Sequence, residues 1–209
     1  MERSRFEPSA RNLPVQKRAR EKYELILRET CCLLEETGFV GLSTREIARR
    51  ANCNIATIYR YFGGVNDIIM ALGEPFFSGI SALFDHMISQ IAGGESLESA
   101  FEFFMEKFTS ELSQNQWALH AEAGILTDKN LIAWNSQFMA KIEGRLTGVL
   151  AIAGVNGSTA ELEVISFRLI RHWKTYMRTL VEYDDIEDAL WLQQDTVRTS
   201  LALVDAPLT

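Results

Sequence analysis

Residues 43–62 read Ser43-Thr44-Arg45-Glu46-Ile47-Ala48-Arg49-Arg50-Ala51-Asn52-Cys53-Asn54-Ile55-Ala56-Thr57-Ile58-Tyr59-Arg60-Tyr61-Phe62, and this stretch decides the fold. It opens on Ser-x-x-Glu, the capping box in which a serine oxygen accepts an N–H of the first turn and the glutamate reaches back. The helix so announced lasts about two turns, to Ala51. Asn52-Cys53-Asn54 then reads as a tight turn, because Asn tolerates left-handed backbone and its side chain can cap a following helix. That helix covers 55–62. Ile58 and Phe62 share a face at i and i+4 and anchor it to a core, which leaves Ile55, Ala56, Thr57, Tyr59 and Arg60 facing outward. A longer helix, 16–37, precedes the pair; its expected inward face is Tyr23, Leu27, Thr30, Cys31 and Leu34, and Gly38 stops it as a C-terminal cap.

Outward from this unit the pattern stays helical. The prolines are Pro8, Pro14, Pro75 and Pro207, so two long proline-free stretches remain. Apolar residues recur at three and four, as in Leu131, Trp134, Phe138, Ile142, Val149 and Ala153, and the chain reads as all-α with roughly nine helices. Beyond Val65 the expected helices are 65–91 with a kink at Pro75, 96–113, 116–126, 128–153, 158–182 and 185–204. The last two are separated by Tyr183-Asp184-Asp185. Ser158-Thr159-Ala160-Glu161 is a second capping box. On 158–182 the charged residues form one stripe and apolar side chains fill most of the remaining circumference. Such a helix has two faces to bury, one in its own core and one against a subunit partner or a ligand cavity.

The chain has 209 residues, 47% hydrophobic and 23% charged, which is ordinary globular composition with length enough for a sizeable core. No run of about 18 consecutive apolar residues is present, so no membrane span is expected. The amino terminus lacks the apolar segment of an export signal, and a cytoplasmic protein is expected. Three cysteines are too few and too badly spaced for a disulfide framework or a four-ligand zinc site, so neither staple is expected, and no metal or cofactor is expected elsewhere. The net charge of −7 hides an asymmetry: residues 1–60 carry 12 Lys/Arg against 8 Asp/Glu, and the rest carry 9 against 20. A basic DNA-facing module attached to an acidic domain accounts for that split.

Two short helices joined by a tight turn after a longer helix match a helix-turn-helix, whose second helix enters the major groove. The outward residues suit that task. Arg60 can give two hydrogen bonds to a guanine edge, Thr57 can reach a base or phosphate, and Ile55 and Ala56 can cover thymine methyls. Tyr59, Tyr61, Thr44 and Asn54 offer donors to phosphates beside the backbone N–H groups of the two helix N-termini. The competing reading makes Tyr59 and Tyr61 half-buried core aromatics and Arg60 a solvated charge.

From Arg20 to Leu72 the chain, with Gly38-Phe39, Ser43 to Ala48, Ala51, Thr57 to Phe62 and Asp67-Ile68, resembles the amino-terminal domain of tetracycline-repressor-like (TetR family) regulators. The resemblance covers roughly a quarter of the sequence. It implies an all-α homodimer with a three-helix DNA-binding domain and a helical ligand-binding domain whose last two helices pair across the two-fold. Carried over by position, Thr44, Asn54, Thr57, Tyr59, Arg60 and Tyr61 fall where the family contacts DNA, and with Arg45, Ile55 and Ala56 they form the candidate DNA-binding set. The sequence departs from the family at three places. Asn52 stands where glycine is usual, Ile55 where a basic or small polar residue is common, and Gly63-Gly64-Val65 where a lysine usually meets a phosphate. A mobile basic arm (1–16), a DNA-binding domain (17–64) and an effector-binding and dimerisation domain (65–209) follow. Arg3, Arg5, Arg11, Lys17 and Arg18 can reach backbone or minor groove.

The expected function is a repressor of double-stranded DNA, released from a pseudo-palindromic operator by a small apolar or aromatic effector. The alternative is a regulator of the same fold without a small-molecule ligand, controlled by a protein partner or its abundance. Phe84, Phe104, Trp117, His120, Trp134, Phe138, Trp173 and Tyr176 are the candidate effector pocket, with ordinary core as the competing reading. An enzyme is not expected. His120-Ala121-Glu122 lacks the Pro-Cys-x-x-Cys of zinc deaminases, and no phosphate loop or Gly-x-Ser-x-Gly elbow occurs. Asn156-Gly157-Ser158 reads as a turn and cap, and Cys53 as a turn or core residue rather than a redox switch.

Overall fold

The computed structural model describes residues 14–180 and 190–206, and these form helices α1 (Lys17–Thr37), α2 (Thr44–Arg50), α3 (Ile55–Tyr61), α4 (Val65–Ala92), α5 (Leu97–Gln114), α6 (Trp117–Ile125), α7 (Lys129–Ile152), α8 (Thr159–Leu180) and α9 (Leu190–Asp205). A short 3-10 turn, Phe39–Gly41, joins α1 to α2, and the described residues contain no strand. Arg3, Arg5 and Arg11 of the arm, the expected turn at 183–185 and the start of the last expected helix lie outside the described residues.

The chain divides into two compact units, residues 1–76 with 116–136, and 77–115 with 137–209. Of the three boundaries, two fall within helices, in α4 just after Pro75 and in α7, and the third falls between α5 and α6. The helix continues through Pro75 even though proline removes one backbone donor. By length and composition α4 is also apolar enough to cross a bilayer, although charged residues break its apolar run. Its Ile68, Ile69, Phe84 and Met87 are buried within the protein, and Asp67, Glu74 and Asp85 interrupt its apolar sequence.

In the first unit, Ile26, Leu33, Ile47, Ala48, Ala51, Ile58, Tyr61, Phe62 and Ile68 form one core, with Tyr23, Leu27, Leu42 and Cys53 packed against it. Burying a side chain such as Ile58 or Phe62 contributes about 1.5–3 kcal/mol. The buried stripe of α1 is Ile26, Thr30, Leu33 and Leu34. It is rotated from the expected one because α1 packs against both α2 and α6, so its wide apolar arc serves two neighbours. Thr30 satisfies its hydroxyl on Ile26 O at 2.8 Å, and Gly38, at φ +66°, ends the helix with its N–H on Leu34 O.

The second unit centres on aromatic rings of α4, α5 and α8: Phe84 and Phe104 lie 4.8 Å apart, Phe104 and Trp173 4.7 Å, and Phe101 meets Trp173 edge-on at 5.6 Å. Several of its buried polar groups pair internally, although Gln90 Oε1 is buried with no partner among the described residues. Trp173 Nε1 donates to Ser200 Oγ at 2.9 Å, Tyr176 Oη and Thr109 Oγ1 share a 2.6 Å bond, and Thr147 donates to Ser166. At the start of α8 the capping box closes in both directions, Ser158 N on Glu161 Oε2 and Glu161 N on Ser158 Oγ. One side of α8 is buried through Leu162, Ile165, Leu169, Trp173 and Tyr176, while Val164 and Phe167 stay about half exposed and Arg171 covers the Phe167 ring.

Candidate nucleic-acid interface

Local chemistry places the two short helices. Ser43 Oγ accepts from Glu46 N at 3.1 Å, but the return arm of this capping box is absent, because the Glu46 carboxylate turns forward to Arg49. Cys53 N–H reaches back to Ala48 O and Asn52 N–H to Arg49 O, which closes the turn with Asn52 at φ +44°. Among the described residues it is the one non-glycine residue with positive φ, which explains why an asparagine can stand where the family has glycine. Asn54 then caps α3, its Oδ1 accepting from Ala56 N at 2.9 Å.

Three ties that carry no sequence signal hold this pair to its surroundings. Arg50 grips Glu36 through both terminal nitrogens, at 2.9 and 2.6 Å, and Glu29 lies 3.5 Å from its Nε. That guanidinium lowers the Glu36 carboxyl below its usual range, as Arg49 does for Glu46. Lys22 Nζ donates to Ala51 O and Asn52 O at 3.3 and 3.5 Å, at the carbonyl-rich end of α2 where positive charge is favoured. The Phe39 ring packs against Gly124 of α6, where a Cβ would overlap it.

With α3 so held, Ile58, Tyr61 and Phe62 are buried, whereas Ile55, Ala56, Tyr59 and Arg60 are exposed and Thr57 is half-buried. Tyr61 is thus a core aromatic, edge-on to Tyr23, and the Tyr61 hydroxyl accepts from Arg60 Nη2 at 3.1 Å. Tyr59 stands out from the core, and its hydroxyl lies 3.3 Å from Thr44 Oγ1 at the start of α2. Arg45 and Asn54 are exposed on the same two helix starts. Two N–H groups of those starts are already taken by the Ser43 and Asn54 caps. Gly63 N–H donates to Asp67 Oδ2 at 2.7 Å, so the Gly63-Gly64 turn is closed by a carboxylate rather than opened to an anion by a lysine.

The eight candidate pocket residues divide between the units. Phe84, Phe104, Trp173 and Tyr176 belong to the aromatic core of the second unit, and Phe138 stacks on Phe77 there at 3.7 Å. Trp117, His120 and Trp134 belong to the first unit, where Trp117 meets Phe76 at 5.8 Å and Trp134 covers Gly73 of α4. A separate open cavity of about 590 Å³ in the second unit is lined by Leu97, Val155, Glu161, Ile165, Leu201 and Val204 among others, and by none of the eight. Cys31 is half-buried, and this desolvation, with Glu35 and Cys32 beside it, pushes its thiol up to about 12 and away from thiolate chemistry. Among the described residues no group of three or more His, Cys, Asp or Glu side chains is placed to hold a metal ion.

Residues 26–72 match the family described as bacterial regulatory proteins, tetR family. The chain is 26% identical over 107 residues to a probable HTH-type transcriptional regulator, YttP of Bacillus subtilis, covering 51% of this chain and 52% of that protein. It is 28% identical over 145 residues to the HTH-type transcriptional repressor KstR of Mycobacterium tuberculosis, covering 68% and 62%. The matched part thus spans about half to three fifths of these relatives. Among solved structures, the transcriptional regulator FadR of Bacillus subtilis in complex with stearoyl-CoA shares the fold, with a TM-score of 0.61 at 17% identity over 88% of this chain and 96% of that one.

Proposed function

We propose that this chain, which belongs through its residues 26–72 to the tetR family of bacterial regulatory proteins, is a sequence-specific DNA-binding repressor released from its operator by a small molecule. The observation that carries this reading is the division of α3, whose Ile58 and Tyr61, with Phe62 just past its end, are sunk in the core while Ile55, Ala56, Tyr59 and Arg60 stand clear on one side. A helix anchored by one face and armed with a guanidinium, a phenol and small apolar groups on the other suits the major groove. Thr44, Arg45, Asn54 and Thr57 supply contacts to the phosphates around it.

The half-exposed Val164 and Phe167 on α8, with Leu190 and Trp191 exposed at the start of α9, support a homodimer. Two-fold symmetry then makes the operator a pair of inverted half-sites. For the effector, an apolar molecule remains the class to test, and a long-chain acyl thioester is the first member, because a FadR of the same fold was solved with stearoyl-CoA. One observation favours the ligand-free alternative: Phe84, Phe104 and Trp173 fill the space between α4, α5 and α8 with stacked rings.

Selection from a randomised duplex library tests the reading. It expects an enriched inverted repeat, and recovery of unenriched sequence refutes it. A thermal-shift series with acyl thioesters and aromatic metabolites decides between the effector readings. A compound that raises the melting temperature and releases operator supports induction, and a flat response supports the ligand-free regulator.

A further inference from the structure

The operator half-site itself can be described in part from α3. At 100° per residue Ile55, Tyr59, Ala56 and Arg60 fall in this order across an outward arc of roughly 140°. They do not compete for one task. Tyr59 is drawn toward α2 by its 3.3 Å contact with Thr44 Oγ1, which assigns its hydroxyl to the phosphate side of the groove. The Arg60 guanidinium lies over the Tyr61 ring and gives one Nη2 hydrogen bond to the Tyr61 hydroxyl rather than to a carboxylate, and a guanidinium has four further N–H donors to offer a base. Arg49 and Arg50, by contrast, are engaged by Glu46, Glu29 and Glu36.

Ile55 is left as a branched aliphatic side chain, 39% exposed, at the first position of the helix, with exposed Ala56 beside it. An alanine and an isoleucine offer a groove no hydrogen bond. The one apolar group that a base pair presents in the major groove is the C5-methyl of thymine. Arg60 follows Ile55 by five residues, about 7.5 Å along the axis at 1.5 Å per residue, which is roughly two base-pair steps at about 3.4 Å each.

We infer that each half-site carries a thymine whose methyl is covered by Ile55 and Ala56, about two base pairs from a guanine read by Arg60. This inference rests on the DNA-binding reading above and names the bases for it. The test uses the full chain and its selected operator, with thymine replaced by uracil one position at a time so that only a methyl is lost. Affinity is measured for the wild type, Ile55→Val and Ile55→Ala. At one thymine per half-site, uracil should weaken wild-type binding 3- to 10-fold, about the worth of one buried methyl, and should change binding by Ile55→Ala less than 2-fold. Ile55→Val should retain most of the wild-type response.

Placing 7-deazaguanine at the guanine two steps away should produce the same coupling with Arg60→Ala, and none with Ile55→Ala. Because Ile55 is a surface residue, both variants should melt within a few degrees of the wild type, which confirms that the comparison is between folded proteins. An operator in which no uracil position is coupled to Ile55, or in which the coupled thymine lies four or more base pairs from the Arg60 guanine, overturns the inference while leaving DNA binding intact. Failure of the selection to enrich any sequence overturns both.

Discussion

Replacing Gly124 with alanine should destabilise the first unit, although alanine is the better helix former. On propensity alone the substitution inside α6 would stabilise by about 1 kcal/mol. The structure opposes this with a steric term: a Cβ at Gly124 would lie closer than 3.0 Å to three carbons of the Phe39 ring. Real Cβ contacts do not fall in that range, so either the ring or α6 must shift. Forcing an extra methyl into a packed contact costs about 1–3 kcal/mol. The net expectation is a loss of up to about 2 kcal/mol for Gly124→Ala. Phe39→Ala alone should lose the ring's packing on α6, and the double variant should be more stable than the sum of the two single changes, since the clash disappears with the ring. Urea unfolding followed by far-ultraviolet circular dichroism measures all four proteins. If Gly124→Ala proves more stable than the wild type, or the two substitutions are additive, Phe39 does not rest on α6 in the way described.

Asn52→Val should cost about 1–2 kcal/mol, because a β-branched residue is poorly suited to φ +44°, while Asn52→Gly should be nearly neutral; thermal unfolding compares them. Trp173→Ala should cost about 3–5 kcal/mol and lower cooperativity in the second unit, since Trp173 is buried against Phe101 and Phe104 and donates to Ser200. An unchanged melting temperature would place Trp173 in a cavity instead of a core. Stability should decline as pH falls from about 4.5 downward. Glu36, Glu46, Asp128 and Glu161 all have folded-state affinities for protons lowered by hydrogen bonds, so what they contribute is present above their ordinary range and is lost as each is protonated. Arg50→Gln should shrink the part of that decline that belongs to Glu36, and a pH profile identical to the wild type's would deny the tie.

The local part of this fold was legible in the sequence because its determinants are local. Ser43 with Glu46, Asn54, Gly38 and Ser158 with Glu161 each cap or stop a helix through groups within a few residues, and the helix limits follow from them. The i, i+4 pair Ile58 and Phe62 gave the buried side of α3, and hence four of its exposed residues, for the same reason. Tyr61 is the instructive case. Its neighbours in sequence allow it to face either way, and its burial follows from the core assembled by residues remote in sequence, Ile26 and the Tyr23 ring of α1 among them. Periodicity likewise could not fix the rotation of α1, because α6, remote in sequence, competes with α2 for its apolar arc. Lys22 on the turn carbonyls and Arg50 on Glu29 and Glu36 join residues 14 to 30 positions apart, and nothing in their local context marks them. Aromatic content singled out the eight pocket candidates, but composition does not distinguish rings that line a cavity from rings that fill one.

The central claim is that the exposed side of α3 reads base sequence, and Arg60→Ala tests it most directly. Fluorescence anisotropy at fixed salt would compare wild type and variant on the selected operator and on a shuffled duplex of the same composition. The account predicts that the variant loses about 1–3 kcal/mol on the operator, close to 5- to 150-fold, and far less on the shuffled duplex. Equal losses on both duplexes, or no loss on either, would contradict it and leave Arg60 as a surface charge.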